Sequence, residues 1–227
     1  MGVFAVYVSF FPQLVAGPIE RAKYLLPQIE KCERATKNQI FSAFYLLFLG
    51  YVKKVLISDN IAPTIDIYFE NFIELSSIYL LSGLMLFSIQ IYFDFSGYSD
   101  IARGLAKLMG IDLMVNFKQP YFSSSPSEFW KRWHISLSTW LKDYLYIPLG
   151  GNKMGLIKKY KNIIIVMFLG GLWHGASINF LIWGTCHGFL IIIGDFQLDK
   201  VKKLVINLFK NWKKKTQPNR NWNSSPN

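Results

Sequence analysis

Three histidines are the residues of this chain best suited to chemistry, and none of them lies in an ordinary polar loop. His134 lies on the polar stripe of a predicted amphipathic helix, His174 lies beside glycines, and His187 lies inside an apolar run. Ionisable groups in apolar segments are costly and therefore mark functional candidates. Imidazole is also the side chain best suited to take a proton near neutral pH. We predict His174 as a catalytic base and His134 as a second catalytic residue, although His134 could equally be interfacial. We interpret His187 as structural, at a helix-packing position.

The residues around His174 favour function over a satisfied core histidine, which is the alternative. Gly170, Gly171 and Gly175 carry no side chains and would let a substrate approach closely. Trp173 stands next to the histidine, and we expect it to contact substrate. These glycines predict a break in the helix that the apolar run would otherwise form. At membrane depth, such a break is tolerated only where the backbone is buried in protein or lines a cavity.

A second polar group follows a long apolar run that ends near Asp94. A carboxylate in such a run must be paired or lie in a wet cavity. We predict Asp94, Ser96 and Tyr98 as substrate contacts, together with Trp133. A structural Asp–Arg or Asp–backbone network that holds a cavity wall is the alternative, and for Asp94 we rank it ahead of direct catalysis.

Other kinds of site are not indicated. The chain has no HExxH or CxxC spacing, no GxSxG elbow, no phosphate-binding glycine loop and no dinucleotide fingerprint, so we expect neither a metal nor a cofactor. Cys32 and Cys186 lie far apart and match no ligand spacing. Cys186 could be a nucleophile, but we interpret it as a small buried core residue.

The composition indicates a membrane protein. Of 227 residues, 52% are hydrophobic and 17% aromatic, and the long apolar runs are residues 41–57, 78–95 and 163–194. A hydrocarbon core about 30 Å thick needs roughly 20 mostly apolar residues per helical span. We therefore predict an all-α, polytopic membrane fold. A shorter apolar segment covers residues 3–15, and the polar residues 196–227 are predicted to be a disordered tail.

The net charge of +11 could suggest nucleic acid, but its distribution argues against such a partner. Basic residues cluster in short segments between apolar runs, as in the cytoplasmic loops of membrane proteins. Residues 58–77 have four acidic residues and no Lys or Arg, so we place them as a loop outside the cytoplasm. Lys53 and Lys54 fit poorly near the end of a span: they must snorkel, face a polar interior, or contradict this topology.

Residues 125–144 predict one continuous amphipathic helix, interfacial or re-entrant. Ser125 can cap it, Pro126 suits its first position, and Glu128 completes a capping box. Apolar and polar residues then recur at three- and four-residue steps on two faces.

Five motifs resemble those of the membrane-bound O-acyltransferase family, and they occur in the right order. They are Phe-Pro-Gln-Leu-Val-Ala-Gly-Pro-Ile at 11–19, Asp-Phe-Ser-Gly-Tyr-Ser-Asp at 94–100, Phe-Trp-Lys-Arg-Trp-His-Ile-Ser-Leu-Ser at 129–138, Asp-Tyr-Leu-Tyr-Ile-Pro-Leu-Gly-Gly at 143–151 and Gly-Leu-Trp-His-Gly-Ala at 171–176. With His187-Gly188, which matches a His-Gly that often follows in the family, the resemblance covers most of residues 11–188, and the set of motifs is highly specific. The similarity is greatest to the bacterial branch of alginate and peptidoglycan O-acetyltransferases.

The resemblance implies a multi-pass enzyme of the bacterial inner membrane with broken or re-entrant helices, of which residues 1–195 form part of the core. It implies that His174 lies at the reaction centre and that His134 is the second characteristic histidine. The donor would be an acyl thioester such as acetyl-CoA. The acceptor would be a hydroxyl on an extracytoplasmic polysaccharide or on a relay protein. Because family members are much longer, we expect this chain to be a partial enzyme, inactive by itself. A transporter lined by the broken helix, or an inactive fragment acting only as an interaction partner, are the alternatives.

Overall fold

The computed structural model describes residues 2–31 and 33–216, and within these ranges the chain is helical without a β-strand. This confirms the predicted all-α class. The described residues form two compact units. The first contains the chain up to Phe122 together with Trp130–Trp140, and the second contains Ser123–Phe129 and the chain from Leu141.

The first unit consists mainly of helices that follow one another along the chain. They are α1 (Gly2–Ser9), a 3₁₀ turn (Phe11–Gln13), α2 (Ala22–Lys31), α3 (Lys37–Tyr51), a π-helical segment (Val52–Ser58), α4 (Asp59–Glu70) and α5 (Ser77–Leu108). Thr36 and Gln39 form a reciprocal capping box at the start of α3. This satisfies two groups that the first turn of a helix otherwise leaves without partners.

Helices α3 and α4 and the π segment between them form one continuous helical stretch, Lys37–Glu70. The predicted loop at residues 58–77 is therefore wrong for most of its length, because only residues 71–76 connect α4 to α5. The acidic residues there had suggested a loop. Asp59, Asp66 and Glu70 instead lie on α4 among apolar residues, of which Ile65 is buried. A further contact with α5 comes from Tyr68, whose ring lies where a side chain at Gly83 would be.

Small residues bring α3 and α5 together. A Cβ at Gly50 would lie 2.8 Å from the carbonyl oxygen of Gly97, and one at Gly104 would lie 3.0 Å from that of Ala43. The first distance is shorter than real Cβ contacts and the second is at their lower limit, so glycine at both positions favours this close backbone approach. Gly97 and Gly104 are two turns apart, as are Ala43 and Gly50, which matches the small-residue interfaces of membrane helices.

The predicted helix over residues 125–144 is broken. It consists of α6 (Pro126–Arg132), α7 (Ile135–Leu141) and a π-helical segment (Lys142–Tyr146). The helix start is confirmed in part, since the Ser125 hydroxyl accepts a hydrogen bond from the Glu128 amide. The Glu128 carboxylate, however, accepts from the amide and hydroxyl of Ser124 rather than closing a box on Ser125.

The second unit is built on two long helices, α8 (Leu156–His174) and α9 (Ile178–Thr216). They are separated at residues 175–177, which confirms the predicted break after His174. An ion pair also joins the two helices: Asp195 of α9 accepts a hydrogen bond from Lys159 of α8 at 2.7 Å. Asp195 accepts another from the Ser127 hydroxyl at 3.1 Å. The helical bounds of α9 include residues 196–216, which composition alone had assigned to a disordered tail. The rest of that assignment lies on residues 217–227, outside the described part.

Two glycines mark the crossing of α8 and α9. A Cβ on Gly171 would overlap the carbonyl oxygen of Phe180, and one on Gly184 would overlap that of Met167. The expectation that Gly171 opens space for a substrate is therefore wrong, because the backbone of α9 fills that space. Close helix packing is the reason for a glycine at this position.

Three stretches among the described residues are long and apolar enough to cross a membrane. They are Lys37–Glu70, Ser77–Leu108 and Ile178–Leu198. Most of their large apolar side chains are exposed at the surface of the chain, as lipid or neighbouring helices would require. Cys186, interpreted from sequence as buried, is among the exposed residues of α9. The other cysteine, Cys32, lies outside the described residues.

Candidate active site

His174 is the last residue of α8, and its imidazole is exposed. Aromatic rings surround it on several sides. Trp173 and Trp183 each meet it edge-on with ring centroids 5.1 Å away, and Phe180 stacks at 6.0 Å. The sequence suggested an imidazole deep within an apolar run. The structure corrects this, because α8 ends at His174 and the imidazole therefore lies at a helix end. An exposed imidazole framed by rings can meet a substrate while the rings exclude water from its flanks.

His187 belongs to the same aromatic group. The ring of Trp183 contacts both histidines, with centroids 4.7 Å from that of His187 and 5.1 Å from that of His174. Gly188 beside it faces Ile164 of α8. This position on the α8–α9 contact fits the structural interpretation of His187.

His134 lies in the break between α6 and α7, within the first unit. It is only 3% exposed, and its ring meets Phe95 of α5 edge-on at 4.6 Å. Its backbone has φ +42°, in the left-handed region that favours glycine. Such a conformation costs on the order of 1–3 kcal/mol and persists only where the surroundings hold it. A strained histidine of this kind is typical of functional sites.

Trp133 belongs to an aromatic cluster beside His134. Its ring contacts Phe117 edge-on at 5.1 Å and lies 6.2 Å from Tyr92 and 6.3 Å from Tyr121. The half-buried indole therefore packs within a wall of rings. The same wall reaches His134 through Phe95, whose ring lies 4.9 Å from Phe117.

Asp94 is paired, as a carboxylate in an apolar run must be. Lys54 reaches it at 2.5 Å, and Ser58 donates to it at 3.4 Å. Lys53 in turn pairs with Asp100 at 2.6 Å, and Arg103 approaches the same carboxylate at 3.3 Å. The two lysines thus face acidic partners on α5, which was one of the three possibilities that the sequence left open.

Ser96 and Tyr98 differ in access. Ser96 is 2% exposed, and its hydroxyl has no hydrogen-bond partner among the described residues. Tyr98 is exposed and can meet a ligand directly. The predicted contacts Asp94, Ser96, Tyr98 and Trp133 therefore share the first unit with His134, whereas Trp173 shares the second with His174.

Groups of three or more His, Cys, Asp or Glu side chains that could hold a metal do not occur in the described part of the chain. An imidazole such as that of His174 can accept a proton from a hydroxyl and return it to a leaving group.

Comparison with known sequences defines the class of protein. The sequence profile of MBOAT, the membrane-bound O-acyltransferase family, matches residues 3–218. This chain belongs to the membrane-bound O-acyltransferase family.

Its relatives act on different polymers by name. The chain is 48% identical over 191 residues to the probable alginate O-acetylase AlgI of Pseudomonas putida, covering 84% of this chain and 39% of that protein. It is 43% identical over 192 residues to the peptidoglycan O-acetyltransferase of Helicobacter pylori, covering 84% of this chain and 36% of that protein. It is 28% identical over 231 residues to the teichoic acid D-alanyltransferase of Bacillus subtilis, covering 95% of this chain and 54% of that protein. The chain thus spans about two fifths of the length of the two O-acetyl-transferring relatives.

Proposed function

We propose that this chain carries the reaction centre of a membrane O-acetyltransferase that moves an acetyl group from a thioester to a hydroxyl. The observation that carries the proposal is His174. It stands in the Trp-His-Gly break at the end of α8, exposed and framed by Trp173, Phe180 and Trp183. Family membership and the two O-acetyl-transferring relatives support acetyl as the group transferred.

In the proposed mechanism, His174 accepts the proton of the acceptor hydroxyl as that oxygen attacks the thioester carbonyl carbon. The new C–O bond forms, the C–S bond breaks, and the imidazolium returns its proton to the departing thiolate. The atoms balance without any cofactor. The donor is a thioester such as acetyl-CoA, and the acceptor is an extracytoplasmic polysaccharide or a hydroxyl of a relay protein.

The other predicted residues take supporting roles in this proposal. His134 positions donor or acceptor, and Trp173 and Tyr98 contact substrate from exposed positions. Asp94, Ser96 and Trp133 have structural roles within the first unit, because Asp94 is paired, Ser96 is enclosed and Trp133 is packed among rings.

The test compares two histidines of the same aromatic group in the complete protein. We expect His174→Gln to lower transfer of acetyl to the polymer by about 10²–10⁴-fold, the usual contribution of general acid–base catalysis, while donor affinity persists. His187→Gln, the matched control, should retain most of the activity. Polymer-bound acetate and thioester affinity are measured in vesicles at equal protein levels. Near wild-type acetylation by His174→Gln would remove this histidine from the chemistry.

A further inference from the structure

We infer that Asn116 is a positioning residue for His134, an inference that rests on the role proposed for His134 above. The starting point is the break between α6 and α7. Breaking a helix leaves backbone carbonyls at one end and backbone amides at the other without their usual partners. In a buried region these groups must find other partners.

The segment before α6 supplies those partners. The Lys118 amide donates to the carbonyl of Arg132, at the end of α6, at 2.9 Å, and the Ile135 amide, at the start of α7, donates to the carbonyl of Asn116 at 2.9 Å. These two backbone bonds flank Trp133 and His134 on either side. The chain is therefore held open where the sequence pattern would continue a helix.

The side chain of Asn116 completes the closure. Its Oδ1 accepts from the amide of Ser136 at 3.2 Å and from the Ser136 hydroxyl at 2.9 Å. Its Nδ2 donates to the hydroxyl of Ser99 on α5 at 3.2 Å. Asn116 is 1% exposed, Ser99 1% and Ser136 0%. The asparagine thus acts as the cap of α7 from outside the helix and ties that cap to α5.

The consequence concerns where the imidazole of His134 lies. His134 is the residue before α7, and its carbonyl accepts the first bond of that helix, from the Ser138 amide at 2.9 Å. His134 has a left-handed φ of +42°, and its ring packs against Phe95. Loss of the Asn116 side chain removes its bonds to both the amide and the hydroxyl of Ser136. His134 would then relax toward ordinary helical geometry.

The experiment is a double-mutant cycle in the complete protein. We expect Asn116→Ala to lower acetyl transfer about tenfold in the wild-type background but less than about twofold in His134→Ala, because coupled residues are not additive. Asn162→Ala is the matched control: Asn162 is also buried and donates to two carbonyls, those of Leu149 and Gly151. Its effect should be the same factor in both backgrounds. If Asn116→Ala lowered acetyl transfer by the same factor in both backgrounds, the inference about Asn116 would be overturned while the role of His134 stood. Full activity of His134→Ala would refute the role proposed for His134, and the inference about Asn116 with it.

A second measurement does not depend on catalysis. Carbethoxylation of His134 by diethylpyrocarbonate, followed by mass spectrometry, should be slow in the wild type because the ring is buried. It should become several-fold faster in Asn116→Ala and unchanged in Asn162→Ala. Where Asn116→Ala accumulates poorly, Ser136→Ala carries the same tests, since it removes one bond to Oδ1 and keeps the other. Unchanged His134 reactivity in these variants would overturn the inference.

Discussion

His174 and His134 occupy opposite environments at the scale of single residues. His174 ends a helix with an exposed ring, which suits a base that must meet a substrate hydroxyl. His134 is buried with a strained backbone, which suits a residue that holds one geometry precisely. The two motif histidines therefore differ in what their surroundings allow them to do.

Glu20 shows how burial acts on a titratable residue outside the predicted spans. It is 8% exposed, and its carboxylate accepts a hydrogen bond from the amide of Met114. Burial raises the pKa of this carboxyl, against the lowering effects of Met114 and Arg21. The folded chain then holds the proton more tightly than the unfolded chain. The contribution of Glu20 to stability is complete below its ordinary pKa of 4.5 and is lost as the pH rises through the higher folded pKa.

Glu20→Gln should remove that pH-dependent loss, because an amide oxygen still accepts from Met114 and carries no charge to bury. We expect a melting temperature about 2–4 °C above wild type at pH 7, with a smaller difference at pH 4.5. Thermal unfolding in detergent measures both. The exposed Glu30→Gln serves as the control and should change neither value. A lower melting temperature for Glu20→Gln at pH 7 would contradict the argument.

At the scale of elements, the charges between the π-helical segment Val52–Ser58 and α5 stabilise the packing of these two elements only as a set. Asp100 is shared by Lys53 and Arg103, with side-chain exposures of 14–16%. Asp100→Asn leaves two partly buried cations without their carboxylate, whereas Lys53→Met leaves Asp100 with Arg103. We expect Asp100→Asn to cost about 2–3 kcal/mol, somewhat below a fully buried pair, and Lys53→Met to cost less. Heating followed by size-exclusion chromatography ranks the two, and the reverse order would count against the shared carboxylate.

The α8–α9 crossing offers a sharper comparison between neighbouring glycines. A Cβ on Gly171 meets the backbone of Phe180, which cannot move without displacing α9, while one on Gly170 meets only the end of the Leu141 side chain at 3.3 Å. Gly171→Ala should therefore lower folded protein and activity severely, and Gly170→Ala should change both little. Folded yield and acetyl transfer are measured side by side. Equal tolerance of the two substitutions would show that the helices do not cross at Gly171.

At the scale of the whole molecule, α5 sets the membrane topology of the first unit. Its 32 residues make a helix about 48 Å long, longer than a hydrocarbon core of about 30 Å. We therefore expect its two ends to reach opposite sides of the membrane. Because the segment before α5 is acidic and the segment after it is basic, we predict that the segment after α5 lies in the cytoplasm.

Cysteine labelling tests this topology in a variant whose Cys32 and Cys186 are replaced by serine. A cysteine at Glu74 should react with an impermeant reagent from outside intact cells, and one at Met109 should react only after the membrane is opened. Glu33, which precedes α3, should behave like Met109. Labelling of positions 74 and 109 from the same side would exclude the predicted orientation.

Sequence alone determined the class of fold and the membrane setting, and it singled out two motif histidines whose roles stay predictions. Long apolar runs require helices because lipid offers no partners for backbone groups, and the glycine break after His174 was visible as a local pattern. The start of α6 at Ser125 and Pro126 was equally local. Features of this kind depend on residues a few positions apart, so a single sequence contains them in full.

Tertiary structure decided the features that depend on partners far along the chain. The helix over residues 125–144 breaks because Asn116 and Lys118 satisfy the groups that the break exposes, and no periodicity in residues 125–144 signals them. Gly171 lies against α9 rather than a substrate because Phe180 fills the space. Lys53 and Lys54 belong in the apolar region because Asp100 and Asp94 lie on a helix some 40 residues later in the chain. Each of these outcomes follows from where a distant segment packs, since burial demands that every polar group find its partner there.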